Sequence, residues 1–210
     1  MSQAIEREPE PKASSVAPRL GRAARREQIV IAATRAFASS GFAATSLDDV
    51  AGSAGVSRVI LYRHFDSKAD LYRAVLDRVC TRLLAACGDH DFTSDAIPRL
   101  VEVAAVDPDG FRLMFQHAAR EPEFQTDVSE LRAGMTAVAQ AELADRVTDA
   151  SWARWAAQLC PIVTIEGIIA WLDADQPDPG EAAARISRAV EAVIQAAQTA
   201  GPAPKTRRTR

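Results

Sequence analysis

Apolar side chains recur every three or four residues through most of this chain, and no stretch of useful length alternates with the two-residue period of a strand. Ile29, Ala33 and Phe37 share one face of a first helix predicted over 20–40, with Gly41 as its stop. Ser46, followed three residues on by Asp49, opens a short helix that ends near Ala54, and Gly55 supplies the turn. Ser57 opens a second short helix to about Arg63, and Ser67 with Asp70 opens a longer one to about Cys87. Asp107-Pro108 and Asp178-Pro179 each put a capping acid before a proline at the first helical position, while Glu121-Pro122 ends one helix and opens another. The remaining helices then fall near 94–106, 108–120, 123–147, 150–173 and 179–198, and Pro161 should kink or split the fourth of these. The expectation is an all-α chain of about nine helices, without internal repeats.

Composition agrees, with 42 alanines against 10 glycines and 7 phenylalanines among 210 residues. No run approaches the roughly 18 apolar residues of a membrane helix, and the acids and prolines of the first residues do not make a signal peptide. The expected place of work is therefore the cytoplasm, with no membrane partner. Cys80, Cys87 and Cys160 form no CxxC pair, which argues against a disulfide framework or a zinc site.

The net charge of −3 averages unlike parts. Residues 1–18 carry 2 basic and 3 acidic side chains, 19–78 carry 10 and 6, 79–200 carry 9 and 19, and 201–210 carry 4 and 0. The organisation read from these shifts is a flexible arm over 1–18, a small domain over 19–66, an acidic helical body over 67–200 and a basic tail over 201–210. The helix from 67 links the two domains.

Residues 45–68, TSLDDVAGSAGVSRVILYRHFDSK, are the most informative stretch. Two short helices joined by a turn at Gly55 outline a helix-turn-helix. Leu47, Val50, Ala51, Ala54, Val56, Leu61 and Phe65 form its small core against Ile29, Ala33 and Phe37. Arg58, Val59, Ile60, Tyr62, Arg63 and His64 are left over on or near the second short helix, a set that suits a DNA major groove.

From Arg26 to Val79, through F-A-S-S-G-F-A-A-T-S and A-G-V-S-R-V-I-L-Y-R-H-F-D-S-K-A-D-L-Y, the chain resembles the DNA-binding domain of the tetracycline-repressor (TetR) family. The resemblance implies that Thr45 and Ser57 bind phosphate at helix starts. Tyr62 and His64 contact the backbone at the end of the recognition helix, and Lys68 anchors to phosphate at the next helix N-terminus. It implies that Arg58 reads a base, for which a bidentate contact with guanine is the natural use, and that Arg63 reaches a base or a phosphate. Val59-Ile60 depart from the small or hydroxyl-bearing pair of many relatives. They either touch thymine methyls or pack inward. The arm Arg19, Arg22, Arg25, Arg26 either reaches the adjacent groove or is a solvated charge run; for Lys205, Arg207, Arg208 and Arg210 the solvated reading is preferred.

In the body, Trp152, Trp155, Leu159, Ile162, Glu166 and Ile169 form one apolar stripe holding a single carboxylate, which would need a partner if it faced the core. Ala156, Cys160, Val163, Gly167 and Trp171 form a second, small-residue face. The resemblance implies a homodimer through helices 150–173 and 179–198. Phe111, Met114, Phe115, His117 and Met135 are either core or, with Trp152, Trp155, Leu159 and Glu166, the lining of a cavity for a small, largely apolar or aromatic effector. His117 and Glu166 are its expected polar groups, or else a structural pair.

The leading reading is a homodimeric, ligand-responsive repressor that binds a palindromic double-stranded DNA operator. A helix-turn-helix regulator without a small-molecule ligand is the alternative. A helical-bundle enzyme is disfavoured, because no HExxH, Glu-x-x-His pair, GxSxG or phosphate-binding glycine loop is present. No catalytic residue, metal site or cofactor is expected.

Overall fold

A computed structural model describes residues 21–87 and 96–199. The expected arm over 1–18, Arg19, His90 and the basic tail lie outside the described residues. Within them the chain forms nine α-helices and no strand: α1 (Arg22–Ala44), α2 (Leu47–Ser53), α3 (Arg58–Tyr62), α4 (Lys68–Cys87), α5 (Ala96–Val106), α6 (Pro108–Arg112), α7 (Gln125–Leu143), α8 (Ala150–Asp173) and α9 (Pro179–Gln198).

The local signals explain most of these boundaries. Gly41 takes φ +75°, outside the helical region, and breaks α1 one residue after Ser40, leaving only a short turn to Ala44. The Ser46 hydroxyl accepts the Asp49 backbone N–H at 3.1 Å while Asp49 accepts the Ser46 N–H at 3.1 Å, a complete capping box. Gly55, at φ +64°, lets the chain turn sharply into α3, whose cap is Ser57. The Ser67 hydroxyl accepts the Asp70 N–H at 3.0 Å at the start of α4.

Some expectations need correction. Residues 108–120 do not form one uniform helix. After Arg112 the chain widens into a π-turn over Leu113–His117 and tightens into a 3-10 turn over Ala118–Arg120. α7 stops at Leu143 rather than near 147, because Arg146 and Val147 both donate back to Leu143 O in a closing turn. Pro161 does not split α8, which runs on to Asp173. Asp178 stands at the start of α9 at φ +43°, but its side chain makes no capping hydrogen bond there, whereas the Asp149 carboxylate caps α8 by accepting the Ser151 and Trp152 N–H groups. α8 is long and apolar enough to cross a membrane, contrary to the expectation from the sequence, but half of its apolar window is buried in the protein as in a core helix.

One apolar core runs from the small N-terminal unit into the body. Ile29, Ala33 and Phe37 of α1, Val50 and Ala51 of α2 and Leu61 of α3 continue through Leu71, Tyr72 and Val75 of α4 to Phe111, Leu113, Phe124, Ile165 and Ile168. At the junction the rings of Phe42, Tyr72 and Phe124 meet edge to face or tilted, with centroids 4.4–5.1 Å apart. A smaller cluster of Leu143, Val147, Ala153, Ala156, Ala157, Cys160, Ile194 and Ala197 closes the far end of α7, α8 and α9.

A polar node joins the same parts. Arg78 of α4 donates to Glu27 of α1 at 2.7 Å and to Asp107, the cap of α6, at 2.8 Å. Asp107 also accepts the Gly110 N–H at 3.0 Å. A Cβ on Gly110 would lie 2.9 Å from the Asp107 carboxylate and from Val79, so only glycine permits this close seat.

Candidate nucleic-acid interface and effector cavity

α3 is five residues long and would not persist alone. It is held by Leu61, fully buried beneath it, and by the Ser57 cap, which accepts the Ile60 N–H. That anchoring decides which side chains remain outside. Arg58, Val59, Tyr62 and Arg63 are exposed together, with Val59 at 63% and Tyr62 at 43%. Of the two alternatives for Val59, inward packing is therefore excluded. Ile60 is half-buried.

Arg58 is engaged on this surface. Its guanidinium meets Asp48 of α2 at 2.9 Å, approaches the Tyr62 hydroxyl at 3.5 Å and lies 5.6 Å from the Tyr62 ring centre. His64, half-buried at the end of the same unit, has its pKa held below the ordinary imidazole value, first by burial and then by Arg22, Arg26 and Arg25. The start of α1 thus brings three arginines to the neighbourhood of α3. Arg26 stacks its guanidinium 4.9 Å from the Phe65 ring centre.

Two of the expected phosphate contacts are differently employed. Thr45 is buried, and its hydroxyl donates inward to Gly41 O at 2.7 Å and Ala36 O at 3.1 Å. The exposed hydroxyl at the start of α2 belongs to Ser46, which the capping pattern already marked. The Lys68 ammonium donates to Phe42 O at 2.8 Å, Thr45 O at 3.1 Å and Ala43 O at 3.2 Å, and sits 4.6 Å from the Phe42 ring centre. An ammonium has three N–H donors, so all are used on the carbonyls left open where α1 ends. Lys68 thereby fastens α4 to the end of α1. Gln28 does similar work, donating to Ala54 O at 2.8 Å across the end of α2.

In the body the apolar stripe of α8 turns outward except at Ile169, while the small-residue face packs against its neighbours. Trp152 (49% exposed), Trp155 (38%), Ile162 (46%) and Glu166 stand outside, and Leu159 is half-buried between them. Glu166 therefore needs no buried partner. Ala156, Cys160 and Trp171, on the small-residue face, are buried, and a Cβ added at Gly167 would lie 3.5 Å from Ile186 of α9. Phe111, Met114 and Phe115 are buried core, with Phe111 and Phe115 rings 4.8 Å apart; His117 is half-buried beside them.

A cavity of about 480 Å³ opens elsewhere, between α5, α7, α8 and α9. Ile97, Leu100, Met135, Leu143, Cys160, Thr164, Val190 and Ile194 line it, with Glu142 and Arg146 among its polar groups. Of the residues expected at a pocket only Met135 is there. The Thr164 hydroxyl is spent on Cys160 O at 2.9 Å, and Arg146 is paired with Glu191 at 2.9 Å. Burial pushes the Cys160 thiol pKa up, which keeps it neutral in the cavity wall. Among the described residues no group of three or more metal-ligating side chains comes together.

Comparison with known proteins converges on this geometry. The sequence profile of the family described as "Bacterial regulatory proteins, tetR family" matches residues 29–75. The chain is 31% identical over 169 residues to the HTH-type transcriptional activator FasR of Mycolicibacterium smegmatis, covering 76% of this chain and 77% of that one. Its fold matches a TetR-like transcriptional regulator from Rhodococcus sp. RHA1 with a TM-score of 0.70 at 20% identity, over 84% of this chain and 99% of the other. It also matches FadR from Bacillus subtilis, solved in complex with stearoyl-CoA, with a TM-score of 0.59 at 18% identity over 80% and 97% of the two chains. With its helix-turn-helix, its helical body and a relative alike over most of both lengths, the chain belongs to the tetR family of bacterial transcriptional regulators.

Proposed function

We propose that the chain works as a homodimer on a palindromic operator and represses transcription until a small, largely apolar or aromatic ligand releases it. The exposed set on α3 carries this reading: Arg58, Val59, Tyr62 and Arg63 stand outward on a helix whose inner side is anchored by Leu61. In a major groove, Arg58 and Val59 face base edges, while Ser46, Ser57, Tyr62 and His64 face the backbone. The work takes place in the cytoplasm, on double-stranded DNA.

The exposed α8 stripe supports the dimer. Trp152, Trp155 and Ile162 form a band of large apolar side chains, of the kind that marks an interaction surface. A second copy meeting it about a two-fold axis buries the same band on both sides. The 480 Å³ cavity supports the ligand, being within the size range of small-molecule sites; a regulator without a ligand predicts a closed core at this place. The stearoyl-CoA in the FadR neighbour is a precedent in this fold for an effector with a long apolar part. A ligand acts only if it binds one arrangement of the dimer better than the other. The Arg78 bridge from Asp107 to Glu27 offers a physical link between α6 and α1.

Selection of bound genomic fragments with the full-length protein tests the whole reading. The fragments should share an inverted repeat, each holding one dimer, and a reporter behind them should fall when the protein is supplied. Fragments without a repeat, or a monomer at micromolar concentration, would remove the dimer; a rising reporter would reverse the sign.

A further inference from the structure

Asp48 stands in the first turn of α2, yet the capping box of that helix is completed by Ser46 and Asp49 without it. Its carboxylate instead takes Nη1 of Arg58 at 2.9 Å, while Nη2 of the same guanidinium approaches the Tyr62 hydroxyl at 3.5 Å. Both members of the ion pair are more than half exposed, at 59% and 62%, so the pair adds little to folding. On a surface that approaches phosphates, a carboxylate also weakens the attraction for DNA of any sequence. Stability and general affinity therefore do not account for it.

Direction does. A free arginine reaches a phosphate as readily as a base edge. The Arg58 guanidinium lies over the Tyr62 ring, 5.6 Å from its centre, and is held at Nη1 by Asp48, which restricts its heading. Five N–H groups are available on a guanidinium. Asp48 and Tyr62 use one each, and three are left, more than the two that guanine O6 and N7 accept.

We propose that Asp48 is a positioning residue for sequence discrimination, which aims Arg58 at a base edge and penalises phosphate approach where the matching base is missing. This role rests on Arg58 reading a base. With Arg58 on guanine, the loss of general attraction is offset by the bidentate contact; on any other base it is not.

The test uses the full-length protein, the duplex it selects from random DNA, every single-base variant of that duplex, and a scrambled duplex of the same length. Dissociation constants are measured by fluorescence anisotropy for the parent, Asp48→Asn, Arg58→Ala and the double variant. Asp48→Asn should bind the scrambled duplex about threefold tighter. It should lose roughly three- to tenfold of its discrimination at the one position where Arg58→Ala loses its own. In the double variant Asp48→Asn should cost nothing further at that position. Unchanged discrimination by Asp48→Asn, or an equal loss at every position, overturns the role of Asp48 while leaving Arg58 as a reader. Absence of any position-specific loss in Arg58→Ala overturns both.

Discussion

Among the described residues α3 and α8 each turn more than one large apolar side chain outward, where α4 and α5 show only Leu84 and Val106 singly, and they do so in opposite electrostatic settings. On α3, Val59 and Tyr62 stand among Arg58 and Arg63, with Arg22, Arg25 and Arg26 close enough to depress His64. On α8, Trp152, Trp155 and Ile162 share their stripe with a carboxylate, Glu166. Exposure of apolar surface alone marks both as interaction faces. The surrounding charge separates them: a cationic frame suits a polyanion, whereas an apolar band with one acid suits another protein surface. Length separates them as well. Five residues fit a groove as a probe, while the 24 residues of α8 offer a seam long enough for a partner helix.

The sharpest way to break this comparison is Trp155→Glu. Brought together by a two-fold axis, two such acids repel where two indoles packed. The variant should be monomeric by light scattering and bind a full operator about a hundredfold more weakly, because the second half-site no longer adds its contribution. Trp155 is already partly solvated, so the helical circular dichroism should remain. An intact dimer would move the interface away from this stripe.

Lys68→Ala tests whether the cationic frame around α3 includes the start of α4. Its three carbonyl contacts predict a loss of about 1–2 kcal/mol in folding stability, read by denaturant unfolding. The salt dependence of DNA binding should keep its slope. A phosphate anchor at this position would instead flatten that slope by about one unit.

Tyr72→Phe probes the aromatic junction that joins the two regions. The Tyr72 hydroxyl is buried with no hydrogen-bond partner among the described residues, and burial pushes its pKa far upward. Removing it should raise stability by about 1 kcal/mol, seen as a higher unfolding midpoint. A loss would point to an internal water on the hydroxyl.

The smallest effect concerns His64. Its pKa in the free protein is held below the ordinary imidazole value, first by burial and then by Arg22, Arg26 and Arg25, which favours the neutral ring. A phosphate alongside favours the imidazolium and raises that pKa, so DNA binding takes up a proton. Operator affinity should therefore rise a few-fold, by less than about 1 kcal/mol, as pH falls from 7.5 to 6. His64→Gln should remove that part of the rise. For folding the sign is opposite: a depressed histidine pKa favours the native state above the unfolded pKa, and this contribution is lost as pH falls.

The boundaries of α2, α3 and α4 were legible because each rests on a contact within three or four residues: Ser46 with Asp49, Ser57 with Ile60, Ser67 with Asp70. The exposed face of α3 was legible for the same reason, since Gly55 and the Ser57 cap fix the rotation of so short a helix. Thr45 and Lys68 were not. Their roles depend on carbonyls of α1 that lie 4–9 and 23–26 residues away in sequence. The shared pattern with relatives identified their positions without saying which way the donors turn.

The sequence by itself determined most of the helices and the outward set on α3, because caps, turns and apolar periodicity act over one or two helical turns. Only the tertiary structure decided which face of α8 is buried. Two apolar stripes on one helix compete for the core. The small-residue stripe took the inner place, with Ala156 and Cys160 buried in one cluster with Ile194 and Ala197 of α9. The tryptophans were thereby left outside, and the cavity opened among Leu100, Met135, Cys160 and Ile194, whose meeting across four helices no local pattern encodes.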